Sequence, residues 1–90
     1  MSKIKLITYD LCDPYRNYDE LYKRIKSYGA YIQICESVWL IHTYDSCEMV
    51  CKNLNYATDL NDKLFVSEIT NSVAWTNVIC NTNDLKKFLS

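Results

Sequence analysis

Residues 4–9 alternate so that Ile4, Leu6 and Thr8 fall on one face of an extended segment and Lys5, Ile7 and Tyr9 on the other. Apolar residues on both faces predict a central strand from about Lys3 to Tyr9, covered by helices on one side and by something else, such as a second subunit, on the other. The run ends on Asp10 and passes into a loop, Leu11 to Arg16, marked by the only proline, Pro14. Helical spacing then takes over. Tyr18, Leu21, Tyr22, Ile25 and Tyr28 form one apolar stripe, leaving Asp19, Lys23, Arg24 and Lys26 to water. Asn17 followed three residues later by Glu20 marks the start of this helix as a capping box. Gly29, the only glycine, marks its end, where a left-handed cap is wanted.

Two further alternating runs, Ala30 to Cys35 and Val38 to Thr43, are separated only by Glu36 and Ser37. They predict an antiparallel hairpin or one bent ribbon, although Glu-Ser is a poor tight-turn pair. Asp45 with Glu48 repeats the capping pattern and opens a second helix, with Cys47, Val50, Cys51 and Leu54 inward and an end near Asn55 and Tyr56. Leu64 to Ile69 reads as a fourth strand and the β-prone stretch Val73 to Cys80 as a short fifth. Asn83 is the expected cap of a final helical turn or two, Asp84 to Leu89.

The order β-α-β-β-α-β plus a tail predicts an α+β, ferredoxin-like domain: a four-stranded antiparallel sheet with the first and third strands central and two helices on one face. One domain fills residues 1–90, with its core at 3–70 and a C-terminal extension at 71–90. The open sheet face, taken to be lined by Lys5, Ile7, Tyr9, Tyr31, Trp39 and Ile41, is too apolar to stay wet in a monomer. A homodimer through the sheets is the expected remedy.

Composition agrees with one well-filled core: 49% of the 90 residues are apolar, and eight Tyr, two Trp and two Phe add bulk. A net charge of −1 argues against a protein that wraps nucleic acid with a general basic face. The charge is uneven, however. Lys3, Lys5, Arg16, Lys23, Arg24 and Lys26 all precede residue 27, so a local basic patch is compatible with the total. The five cysteines include no CxxC pair, and Cys47 and Cys51, beside Val50 and Leu54, read as core packing and not as metal ligands. Neither a signal-peptide core nor a membrane-spanning run is recognised, which predicts a cytoplasmic location. His42 is the only histidine and the only side chain with an ordinary pKa near neutrality, although a structural role suits its place in a strand. Glu68 reads as a charge on an edge strand, where it discourages pairing with other chains.

Three segments carry a family resemblance over residues 4–69. They are Ile7-Thr8-Tyr9-Asp10-Leu11 at the end of the first strand, the helix from Leu21 closing on Tyr28-Gly29, and Ile32-Gln33 followed by Ser37-Val38-Trp39. Their order and spacing resemble the CRISPR-associated protein 2 family and the related small nucleases of the virulence-associated protein D group. The resemblance implies a ferredoxin-like homodimer in which Asp10 faces its symmetry mate and holds Mg²⁺ or Mn²⁺ for phosphodiester hydrolysis of RNA or DNA; a catalytically degenerate relative would bind nucleic acid without cutting it. Two acids from two chains suffice for a hard cation whose other positions are filled by water. Tyr9 and Tyr15 would then offer rings to bases and Arg16 a contact to the backbone. The chain departs from the family where Asp13-Pro14 replaces a basic segment. Without a metal, Asp10 reads as a strand-end acid that starts the turn. The rival function is a non-catalytic interaction module of a mobile element, engaging a protein partner through its sheet face or edge.

Overall fold

The alternating N-terminal segment is strand β1 (Lys3–Asp10), an inner strand of the sheet. The computed structural model describes residues 2–13, 17–70 and 72–90. After β1 come helix α1 (Asp19–Lys26), strands β2 (Tyr31–Cys35) and β3 (Val38–Thr43), helix α2 (Cys47–Asn55), strand β4 (Lys63–Ile69) and helix α3 (Thr82–Leu89). The strand order is β2-β3-β1-β4 with every neighbour antiparallel, so β1 and β3 are central, as the element order predicts for a ferredoxin-like topology. No helix among the described residues is long and apolar enough to cross a membrane.

Which face the helices cover differs from expectation. Ile7, Tyr9, Trp39 and Ile41 lie in the core with Leu21 and Ile25 of α1 and Val50 and Leu54 of α2. Lys5 lies on this same face and is 3% exposed. These residues are therefore the helix-covered face and not an open one. Period-two alternation sorts a strand into two faces, but when both are apolar it does not say which one the helices take.

The other face, represented by Leu6, Ile32 and Leu40, is covered in large part by the chain's own C-terminal extension. Leu85 of α3 and Leu40 are each 2% exposed. The backbone N–H of Ile79 donates to the carbonyl of Ile34 at 3.0 Å. His42 Nε2 stands 2.7 Å from the carbonyl oxygen of Phe88, and the two rings are 4.4 Å apart. The apolar surface that suggested a sheet-to-sheet homodimer is thus met largely within one chain. Coverage stops short of Phe65, which lies across from Thr8 on β4 and is 62% exposed.

Local signals were displaced by a residue or two. The fifth strand expected at Val73 to Cys80 does not form. Val73, Ala74 and Trp75 lie over the sheet face instead of along an edge, and the left-handed Asn77 (φ 56°) breaks the extended run. Helix α2 is capped by Ser46 and not Asp45, its hydroxyl accepting from the Met49 N–H at 3.1 Å. Helix α3 is capped by Asn81 and not Asn83. Helix α1 has Tyr18 and not Asn17 at its N-cap, without a side-chain cap; Asn17 accepts from the Asp19 N–H at 2.8 Å from one residue further out, and Glu20 pairs with Arg24 instead of closing a capping box. Gly29 takes the expected left-handed conformation at φ 88°. The β2–β3 hairpin closes through Glu36 and Ser37 without positive φ at either, and a register shift between Gln33 and Cys35 accompanies this turn.

Lys5 stands directly opposite Glu68, and its ammonium donates to that carboxylate at 2.9 Å. Donation from Lys5 and its charge hold the Glu68 carboxyl below the ordinary range. Removing one member of such a pair strands the other, whereas an apolar replacement of the buried member does not. Glu68→Ala is therefore expected to lower the urea midpoint near neutral pH, and Lys5→Met to leave it unchanged or raise it. Because Glu68 has a depressed folded-state pKa, its contribution exists while the carboxylate is charged, so the gap between wild type and Glu68→Ala should close as pH falls through the carboxylate range.

Candidate functional site at the carboxyl end of β1

Antiparallel pairing of β1 with β3 sets the β2–β3 turn beside the end of β1. The Tyr9 N–H donates to the Ser37 carbonyl at 3.2 Å. The Tyr9 hydroxyl donates to the Glu36 carbonyl at 3.2 Å and accepts from the Trp39 indole N–H at 2.9 Å. Gln33 Nε2 donates to the same Glu36 carbonyl at 3.0 Å. A cleft of about 530 Å³ opens between this turn and α1, bordered by Tyr9, Asp10, Tyr22, Lys26, Glu36 and Trp39 among others. That volume is in the range of small-ligand sites.

Aromatic rings build the cleft floor. Tyr22 from α1 and Trp39 from β3 lie with their planes 24° apart and centroids at 6.2 Å, and Tyr9 is 6.3 Å from Tyr22. Tyr9 is 7% exposed, so it supports the floor from below and presents no free face for base stacking. Burial raises its phenol pKa, partly countered by the Trp39 hydrogen bond and reinforced by nearby Tyr22, which keeps the hydroxyl neutral and bonded. The other two expected nucleic-acid contacts, Tyr15 and Arg16, lie outside the described residues.

Asp10 is exposed at the last position of β1, across from Lys63. By alternation it shares the sheet's second face with Leu6 and Thr8, which sets it on the rim where that face meets the cleft. Among the described residues its carboxylate makes no hydrogen bond and no ion pair. The turn-starting bond expected of a strand-end acid is supplied from elsewhere, by Asp62 in the turn before β4. Asp62 Oδ1 accepts from the Cys12 N–H at 2.9 Å and from the Tyr18 hydroxyl at 3.0 Å, and Oδ2 accepts from the Asp59 N–H at 2.8 Å. Partial burial pushes this carboxyl up, but the Asp59 and Cys12 N–H groups, with the Cys12 thiol and Tyr18 hydroxyl, outweigh it and hold the pKa at about 2. Asp62 clamps the loop and Asp10 is left unengaged.

Other candidates lie elsewhere. His42 pairs with Ile4 at the far end of β1, roughly 20 Å from Asp10 by the strand rise, and is occupied by Phe88. Glu68 is occupied by Lys5. Among the described residues no three His, Cys, Asp or Glu side chains converge on one point. The cleft does border on two hard-donor carboxylates, Asp10 and Glu36, and on Ser37. Such a set suits Mg²⁺ or Mn²⁺ in kind, because these ions take one or two carboxylates and fill the remaining positions with water. Glu36, Lys26, Tyr22 and Trp39 were not singled out from sequence as site residues. The signal for Glu36 lay in the topology: when the first and third strands are antiparallel neighbours, the turn that opens the third lands beside the end of the first.

Comparison with family models, curated proteins and solved structures finds no match to this chain. The site is accordingly read from its own geometry.

Asp62→Asn is expected to cost about 1–2 kcal/mol near neutral pH, the order of magnitude for losing hydrogen bonds to a charged acceptor. The loss should shrink as pH drops below the ordinary Asp range toward about 2, where the wild-type carboxylate is itself protonated. Urea unfolding of both proteins near pH 7 and near pH 3 measures this.

Proposed function

We propose that the protein acts on nucleic acid from the carboxyl end of β1, as a metal-dependent endonuclease or a binding relative of one, with Asp10 holding Mg²⁺ or Mn²⁺. The observation that supports this most is an exposed carboxylate, without a hydrogen bond or ion pair among the described residues, fixed on an inner strand at the rim of a nucleotide-sized cleft. An acid anchored by a paired backbone, yet free of internal bonds, keeps both oxygens for a cation. Asp10 of a second copy would be the additional carboxylate. A divalent cation bound there supplies positive charge against a phosphodiester. Lys26 adds a fixed ammonium on the α1 side of the cleft. With two acids against one base among the described residues of its rim, the cleft gains from a bound cation when it meets phosphate, so binding should depend on the metal as well as on salt.

The homodimer is part of the proposal. Its contact strip is the uncovered end of the second sheet face, where exposed Phe65 lies on β4 two positions from Lys63, the residue opposite Asp10. The same exposed Phe65, with fully exposed Leu60 before β4, also favours the second reading, a non-catalytic module that binds a protein partner at this edge.

Cleavage of labelled RNA and DNA with and without Mg²⁺ or Mn²⁺ separates the readings. Asp10→Ala is expected to reduce the metal-dependent rate by on the order of 10²–10³, the loss typical of removing a group that stabilises developing charge. Cleavage that survives Asp10→Ala would remove Asp10 from the mechanism, and absence of both binding and cleavage at low salt would favour the interaction module. Light scattering tests the assembly independently: wild type should be dimeric at micromolar concentration and Phe65→Asp monomeric.

A further inference from the structure

We infer that the cleft beside Asp10 is a pocket for an unpaired guanine base of a nucleic-acid strand. This rests on the nucleic-acid reading above and names the part of the substrate that the cleft takes. The inference comes from which hydrogen-bonding groups the cleft has already used. The Tyr9 hydroxyl both donates and accepts within the protein. The Trp39 N–H is given to Tyr9, and the Gln33 amide donates to the Glu36 carbonyl. The Glu36 carboxylate and the Lys26 ammonium make no hydrogen bond or ion pair among the described residues, and both border the cleft. A carboxylate only accepts and an ammonium only donates.

A ligand that fits these two charged groups has a flat body for the half-buried Tyr22 ring, which the 4% exposed Trp39 backs from below, paired donors for Glu36 and an acceptor for Lys26. Guanine presents N1–H and the exocyclic N2–H side by side, matching the two oxygens of one carboxylate, and carries O6 on the same edge for the ammonium. Adenine, cytosine and uracil each set an acceptor beside their donor on that edge, which would face Glu36 oxygen against lone pair. Stacking on aromatic rings tolerates every base, so discrimination falls to Glu36. The edge being read is the Watson–Crick edge, which only an unpaired base exposes. Glu36 is assigned this role, and Asp10 the cation, because Glu36 lies in the turn joined to Gln33 and Tyr9, whereas Asp10 alternates onto the other face of the sheet.

The test uses guanosine, adenosine, cytidine and uridine in EDTA, so that neither phosphate nor metal enters. Calorimetry on the wild-type chain should show guanosine bound about tenfold more tightly than the other three, and Glu36→Gln should abolish that preference. In a Trp75→Phe background, guanosine stacked on Tyr22 should shift the fluorescence of the remaining Trp39, which packs against that ring. In parallel, anisotropy with single-stranded oligonucleotides in Mg²⁺ should favour guanine-containing strands over guanine-free ones, and over free guanosine. Equal affinity for the four nucleosides, no nucleoside binding, or a guanosine preference unchanged in Glu36→Gln overturns the inference. If strands bind without guanine preference, the nucleic-acid reading survives and this inference does not; if neither strands nor nucleosides bind, both fall. Tighter binding of free guanosine than of any strand would overturn the assignment to a strand.

Discussion

The hydrogen bond from the buried Trp39 indole to the Tyr9 hydroxyl is the contact on which the candidate site depends. It joins the side chains of the two central strands, and the same hydroxyl passes on to the Glu36 carbonyl. One phenol thereby fixes the end of β1, the start of β3 and the turn between β2 and β3. Its cost is the burial of a polar group, which is acceptable because donor and acceptor capacities are both used. The rest of the core follows the same rule, for among the described residues no buried side-chain nitrogen or oxygen lacks a partner. Along the helix-facing side of β1 this gives Lys5 with Glu68 at one end, Ile7 in the middle and Tyr9 with Trp39 at the other.

The second face of the sheet is governed by the C-terminal extension. Leu85 closes over Leu40, and His42 holds the last turn of α3 through the Phe88 carbonyl. The packing beneath is incomplete. A cavity of about 270 Å³, lined mainly by apolar residues such as Leu6, Leu40 and Trp75, remains between extension and sheet. The extension therefore removes the main reason for sheet-to-sheet association while leaving the Phe65 end open. On this face the exposed apolar surface that remains, at Phe65, lies toward the end that carries Asp10.

What could be read from the sequence was periodicity and order. Alternation located β1 through β4, helical spacing located α1 and α2, and their succession fixed the sheet topology, because few arrangements of β-α-β-β-α-β bury both helices on one antiparallel sheet. The choice of face was not legible, since Ile4 and Leu6 are as apolar as Ile7 and Tyr9. The decisive difference lay about 80 residues away, in Leu85, which shares a cavity with Leu6, and in Phe88, which packs on His42, the cross-strand neighbour of Ile4. Caps slipped for a related reason: Asp45 and Ser46, or Asn81 and Asn83, are equally able to cap, and the preceding chain direction selects one. Asp10 was visible as the end of a strand, but Glu36 became a site residue only through pairing across the sheet, and Asp62 joins a local Asp59 N–H to two partners distant in sequence, Cys12 and Tyr18.

The contrast between Asp10 and Asp62 carries the functional argument furthest. Both acids border the β1–α1 loop, and a loop of this kind needs one acceptor to satisfy its turning backbone. Asp62 meets that need from across the fold, and its pKa of about 2 reflects how fully its oxygens are engaged. Had Asp10 done so, as a strand-end acid ordinarily can, its oxygens would be saturated and the rim of the cleft would lose its free carboxylate. Assigning the structural task to a distant residue leaves Asp10 held in position by the Asp10–Lys63 strand pairing alone, with its side chain uncommitted. That separation leaves an anchored carboxylate with open oxygens, which is what the proposed metal-holding role asks of Asp10.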